Sequence, residues 1–287
     1  MTGTTAGVVL AFRPDQSMSE RIRLLRAQVD HVYVVNNSPG DAGTVAVLDQ
    51  LEDPAVTVLD QKKNVGVAAG FNAGMRQALS DGHDYVWIFD QDSTVAEGML
   101  DQLKRAFTEW DRPVAIAGPA LRAEETGHLY DADHGTGIGE LETLISSGAL
   151  FSRDALERVG LHDERLFIDY VDHDISLRAR AAGMAVVKVY DTTLNHRFGA
   201  STPAVFLGRR IYLSNYSPMR QYHMARNRII MVRRYGMGRW FWEDLAYATK
   251  AWIKVLLCER DRGPKIGAAV RGAVDGMRFR KVRTIVD

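Results

Sequence analysis

Two aspartates one residue apart, Asp90 and Asp92, close the apolar run Tyr85–Phe89 in the stretch DYVWIFDQDS. An apolar pentad ending in acid reads as a buried strand that surfaces at its C-terminal end. In an open α/β sheet that is where ligands bind. Carboxylates so close repel one another and are relieved by a bound cation, so the pair predicts a divalent metal holding a diphosphate. Taken alone, Asp90-Gln91-Asp92-Ser93 is a weak signal that reads more readily as an ordinary turn and N-cap for a helix opening near Glu97.

A second acidic group stands in LHDERLFIDYVDHDISLRARAAG, where Asp169, Asp172 and Asp174 precede a helix carrying Ile175 and Leu177 and stopped by Gly183. Capping and the helix dipole explain any one of them, but three within six residues exceed what capping needs. The stretch is a candidate source of a general base. His196, in NHRFG after a strand, is a candidate metal ligand, although a lone histidine there is more often structural. Between the third and fourth strands, KNVGVAAGFNAG spaces Gly66, Gly70 and Gly74 four apart, which serves tight helix packing or close approach of a ligand. Asn64 and Asn72 are polar beyond what packing requires. The segment is neither GxGxxG nor GxxxxGK[ST], so no dinucleotide fingerprint or P-loop is present.

Strands alternating with helices must position these residues. Gly7–Phe12, His31–Asn37, Val56–Leu59, Tyr85–Phe89, Val114–Ala117 and Val186–Tyr190 read as strands. Met18–Gln28, Thr44–Leu51 and Arg153–Val159 read as helices, and Glu142–Ser152 as a strand returning to the core. The alternation implies βαβ units and a mostly parallel sheet. Leu121–Glu142 reads as a loop over the site, with His128 and His134 solvated. From Ser201 the chain reads as helical and basic, with a helix from Ser217-Pro218 to Tyr235, then Trp240–Cys258 and Ile266–Phe279. The organisation expected is a catalytic domain over residues 1–200 and a basic, Trp-containing helical region over 201–287.

The net charge of zero hides a polarity: residues 201–287 hold 18 basic and 6 acidic side chains, against 18 and 30 in residues 1–200. The basic C-terminal region predicts an anionic partner, and its tryptophans beside lysines suit a membrane interface. No nucleic-acid motif accompanies the charge, so nucleic acid is not expected. No apolar run is long enough to span a bilayer. The first residues lack a basic stretch and a cleavable leader, and the one cysteine, Cys258, fits a reducing compartment, so the cytoplasm is the expected setting.

The Asn/Gly-rich segment, DQDS, SSGALFSRDALERVGLHDERLFIDYVDHD and NHRFG occur in an order that resembles inverting glycosyltransferases of family 2, which have the GT-A fold: an α/β architecture with a mostly parallel, Rossmann-like sheet flanked by helices. Here a C-terminal helical extension would follow. DQDS, FIDYVD and SPMRQYHMARNR resemble the bacterial rhamnosyltransferase branch. The resemblance implies that Asp90, Asp92 and His196 form the metal site for Mg2+ or Mn2+, with Asp90 also near the ribose. It implies Asp172 as general base, with Asp169 as rival. Asn36, Asn37, Asp60, Asn64 and Asn72 would contact the nucleotide, and Arg220, Arg226 and Asn227 the diphosphate or the acceptor's phosphate. Arg13-Pro14, Asn36-Asn37 and Val171-Asp172 depart from the commoner Asn-Pro, Asp-Asn and Glu-Asp.

The implied activity is single-displacement transfer of L-rhamnose from dTDP-L-rhamnose to a lipid-diphosphate-linked or polysaccharide acceptor in cell-surface glycan synthesis. The protein would sit peripherally at the inner membrane face, with a homo-oligomer left open. The alternatives are a UDP-sugar donor such as galactofuranose or a hexose, and a non-catalytic protein that binds membrane surfaces. A sugar-nucleotide pyrophosphorylase would need a Gly-rich, Lys/Arg-bearing signature after the first strand, which is absent.

Overall fold

The computed structural model describes residues 3–124, 127–130, 133–196, 202–206 and 209–280. These pack as two compact units. One runs to Phe167 and resumes at Val171, and the other takes Ile168–Tyr170 together with the described residues after His196.

The first unit is built on an eight-stranded sheet. Its strands are Thr5–Ala11 (β1), His31–Asn36 (β2), Val56–Asp60 (β3), Tyr85–Asp90 (β4), Val114–Ala123 (β5), Ile138–Glu140 (β6), Ala149–Ser152 (β7) and Ala185–His196 (β8), in the order β3-β2-β1-β4-β7-β5-β8-β6. The first four pair in parallel, β7 is antiparallel to β4 and β5, β5 and β8 are parallel, and β6 is antiparallel to β8. Continuous apolar runs such as VVLA and VWIF fit strands covered on both faces. One face carries Met18–Arg26 (α1), Ala42–Leu48 (α2) and Met99–Glu109 (α4), whose Ile22, Val47 and Leu103 join Trp87 and Phe89. The other carries Gly66–Ser80 (α3), Arg153–Val159 (α5) and Val171–Ala181 (α6), whose Phe71, Leu156 and Ile175 join Ile88 and Phe151. Each fully buried side chain of this kind stabilises the fold by about 1.5–3 kcal/mol.

The glycine spacing of α3 is a packing device. A Cβ on Gly70 would collide with Leu10 and one on Gly74 with Val8, so the helix lies directly on β1. Inside α6, Asp174 and Arg178 form a buried ion pair at 2.9 Å, and the guanidinium also donates to the carbonyls of Val159 and Leu161, tying α6 to the end of α5.

Several expected elements differ. Only Ala149–Ser152 of the stretch from Glu142 is strand, because Gly148 takes a left-handed turn (φ +81°) that its lack of a Cβ permits. The expected loop Leu121–Glu142 contains the end of β5 and all of β6; its His128 and His134 are exposed. Residues 125, 126, 131 and 132 of it lie outside the described set, as do Arg197, Phe198 and Gly199 of NHRFG. The helix expected near Glu97 starts at Met99 behind Gly98, so Ser93 is not its cap. Asp172 and Asp174 lie within the first turn of α6 rather than ahead of it.

The second unit is not helical from its start. Thr202–Phe206 (β9) and Arg209–Leu213 (β10) pair as an antiparallel hairpin where helix was expected. Pro218–Tyr235 (α7), Arg239–Cys258 (α8) and Arg262–Arg278 (α9) follow. Ser217 caps α7 through the amide of Arg220, with Pro218 at the first position. Gly272 and Gly276 of α9 lie against the backbone of Tyr222 and Arg226 on α7, a contact that any side chain would block.

Candidate active site

Parallel pairing sets the ends of β1, β2, β3 and β4 level: Asp90 is in register with Leu10, and Asn36 with both Ala11 and Asp60. Asp90 therefore leaves the sheet at its carboxyl edge. The chain beyond it is fixed by Gln91, whose side chain accepts from the Phe12 amide (2.6 Å) and donates to the Phe12 carbonyl (3.0 Å). Thr94 then exchanges backbone hydrogen bonds with Asn195 (2.9 and 3.2 Å), which brings the end of β8 against the acidic turn. Offered ligand atoms of Asp90, Asp92 and His196 lie within 4.8 Å of one another.

A hydroxyl pair joins these groups. Ser147 accepts from the Asp90 amide (3.1 Å) and bonds Ser93 (2.7 Å), and Ser93 lies 2.8 Å from Nδ1 of the buried His196. The pair can point either way, so it serves the imidazole as donor or acceptor. Two carboxylates and an imidazole form an O,O,N donor set that suits Mn2+ or Mg2+, and the residues present fit such an ion.

The asparagines form a second network at the same edge. Asn36 donates to Asp60 (2.8 Å), and Asn37 donates to Asn64 (3.2 Å) while accepting from the Val65 amide (2.8 Å). Asn64 in turn accepts from the Gly66 amide (2.9 Å), and the Phe167 carbonyl accepts from Val67 and Ala68. Asn36 and Asn37 are buried, whereas Asp60 and Asn64 are exposed. Asn72 departs from its expected role as a nucleotide contact. It is only 1% exposed, and its amide donates to and accepts from the backbone of His162 (2.9 Å each), so it ties α3 to the chain leading to α6.

Five residues beyond Phe167, Asp172 stands in the first turn of α6. Its side chain remains 21% exposed. Burial raises its pKa, but the charge of His173 and hydrogen bonds from the His173 ring (3.0 Å) and amide (2.8 Å) outweigh this, so the carboxyl sits below the usual range. His162 lies between Phe71 and Phe151. Burial, assisted by Arg178, pushes its pKa down to about 4.

In the second unit, residues 168–170 are held in an uncommon backbone. Asp169 and Tyr170 both have positive φ (63° and 64°). Asn227, fully buried, donates to the carbonyls of Ile168 and Asp169 (2.9 Å each), so it fixes this backbone rather than offering itself to a phosphate. Arg220 grips the Asp169 carboxylate (2.9 Å) and stacks over Tyr216, while Arg226 donates to Asn227 (3.0 Å). Tyr170 donates to Asp244 (2.6 Å), which also pairs with Arg228 (2.6 Å).

Sequence reasoning missed Ser147 and the supporting parts of Gln91 and Ser93. The serine repeat in LISSGAL was the available signal, since Gly148 beside it marks a turn at a strand end.

The model described as "Glycosyl transferase family 2" matches residues 8–162. The dTDP-rhamnosyl transferase RfbF of Shigella flexneri is 27% identical over 82% of this chain and 81% of its own length. The galactofuranosyltransferase GlfT1 of Mycobacterium tuberculosis (strain ATCC 25618 / H37Rv) is 27% identical over 83% and 85% respectively. Among solved structures, GalNAc-T7 with UDP, GalNAc and Mn2+ superposes with a TM-score of 0.61 at 13% identity, covering 96% of this chain and 56% of that one. A likeness of that kind bears on the fold, which is GT-A.

Proposed function

The chain belongs to glycosyl transferase family 2 and is a glycosyltransferase, and from that premise we propose that it transfers L-rhamnose from dTDP-L-rhamnose, with inversion, to a glycan or lipid-diphosphate-linked acceptor at a membrane surface. The observation that carries the reading is the meeting of Asp90, Asp92 and His196 at the carboxyl edge of the sheet. These three would hold Mg2+ or Mn2+. Bound there, such an ion would supply positive charge to the diphosphate as it departs.

The protein's own groups do the rest. Asp60 and Asn64 are exposed at the edge and contact the nucleoside, with Asn36 and Asn37 holding them in place. Asp172 accepts the proton of the acceptor hydroxyl at a carboxylate oxygen as that hydroxyl attacks the anomeric carbon. Its lowered pKa keeps it ionised near neutrality. Asp169 is the poorer base because Arg220 occupies its carboxylate. One base without a carboxylate nucleophile gives a single displacement and therefore inversion. Residues 1–200 would form the catalytic domain, and 201–287 the membrane-facing, acceptor-side region.

GlfT1, equal in identity to RfbF, supports a second reading with a UDP-galactofuranose donor. A panel of dTDP- and UDP-sugars with Mg2+ or Mn2+, read by release of nucleoside diphosphate, separates the two. Turnover with dTDP-L-rhamnose alone supports the first, turnover with UDP-galactofuranose alone the second, and turnover with neither removes both.

A further inference from the structure

Inside the second unit, a cavity of about 130 Å³ opens between α7 and α8. A space of roughly 150 Å³ takes up a benzene molecule, so this one holds about one six-membered ring. Its wall is mixed. Met224 of α7 and Val255 of α8 supply apolar surface, and Tyr247 and Trp252 supply aromatic rings. Gln221 and Arg228 of α7, Lys250 and Lys254 of α8, and Glu259 supply polar groups. The protein itself answers most of the charge. Arg228 is held by Asp244 (2.6 Å), Glu259 accepts from the buried Lys265, and Lys254 is also engaged. An anion entering here would meet the exposed Lys250 and otherwise cations already committed.

Gln221 is the exception to this pairing. It is only 6% exposed, yet its side-chain amide bonds no group among the described residues. The amide offers two N–H donors and a carbonyl acceptor. Leaving such groups unmet in a buried place is costly, and a hydroxyl, which donates and accepts, relieves both. A neutral ring bearing several hydroxyls, with C–H faces that suit Tyr247 and Trp252, meets the size, the balanced charge and the amide together.

We propose that this cavity is a subsite for one hexopyranose ring of the glycan acceptor, with ring hydroxyls on the Gln221 amide and ring C–H groups against Trp252. The proposal rests on the reading that this protein transfers sugar to a glycan, and it names where a ring of that glycan is held.

The test uses the full-length protein and the methyl glycosides of L-rhamnose, D-galactose and D-glucose, read by saturation-transfer NMR, with inorganic phosphate as the anionic probe. Wild type is expected to bind at least one glycoside without competition from phosphate. Gln221→Leu keeps the bulk of the side chain, and Ala251→Trp fills the cavity. Each is expected to weaken glycoside binding by about tenfold, with melting temperature and donor hydrolysis unchanged. Equal glycoside binding by both variants would place the sugar elsewhere and overturn the proposal. If wild type turns over dTDP-L-rhamnose or UDP-galactofuranose but binds no glycoside, the subsite fails while the transfer reading stands. If it does neither, both fail. Phosphate binding that Ala251→Trp abolishes, without glycoside binding, would make the cavity an anion site and likewise overturn the proposal.

Discussion

Ser93 Oγ lies 2.8 Å from His196 Nδ1 across 103 residues of chain, and it is the same hydroxyl that reaches Ser147, on which the Asp90 amide rests. Partners of this kind behind metal-ligating side chains set ring orientation and basicity. Ser93→Ala is therefore expected to raise the Mn2+ concentration for half-maximal transfer by roughly 10–100-fold, with smaller change in rate at saturating metal. Ser147→Ala should follow the same pattern. A metal titration of transfer rate checks both, and a chelator should abolish transfer in wild type.

Asp172→Asn removes the proposed proton acceptor while keeping the shape of the side chain. Transfer is expected to fall by about 10²–10⁴-fold with donor affinity retained. Asp169→Asn should act mainly through the loss of its Arg220 partner. Comparing kcat with the donor dissociation constant for the two variants assigns the base. Full transfer by Asp172→Asn would reject the assignment.

His162 makes stability depend on pH. Its folded pKa, about 4, lies below the unfolded value near 6.5, so the unfolded chain takes up a proton first as pH falls. Stability is thus lost from about pH 6.5 down to 4, by on the order of 3 kcal/mol for this group. Asp172 contributes in the same direction at lower pH, since its depressed pKa gives stability that disappears as pH falls through the folded value. His162→Leu, which keeps an apolar side chain between Phe71 and Phe151, is expected to flatten the decline in melting temperature between pH 7 and 5.

Gly70→Ala and Gly74→Ala should each destabilise the first unit by about 1–3 kcal/mol, because the added methyl meets Leu10 or Val8. Gly66→Ala should cost more. It combines a left-handed backbone (φ +84°) with a Cβ only 2.5 Å from the Phe167 ring. Chemical denaturation of the three variants checks the ranking.

The acidic turn was legible because composition alone marks a strand that ends in DQD, and the parallel sheet because its strands are apolar throughout. The roles of Asn36, Asn37 and Asn72 were not. A sequence shows that an amide is polar, but whether it faces ligand or a neighbouring backbone is decided by contacts up to 90 residues distant, as for Asn72 and His162. Ser147 was hidden for the same reason: its position against Asp90 follows from β7 running antiparallel to β4. The β9–β10 hairpin, whose five-residue strands carry Val205, Phe206, Ile211 and Tyr212, was obscured by the basic, helical character of the longer chain that follows it.

The amide hydrogens of residues 65–68, at the opening of α3, are all taken by Asn37, Asn64 and Phe167. A nucleotide-binding protein of the P-loop type would spend such hydrogens on its ligand's phosphates. With that cradle closed, the proposed reading leaves a doubly charged leaving group to side chains and to a dissociable ion, and under that reading the hold on the donor would follow the supply of the ion instead of being built permanently into the main chain.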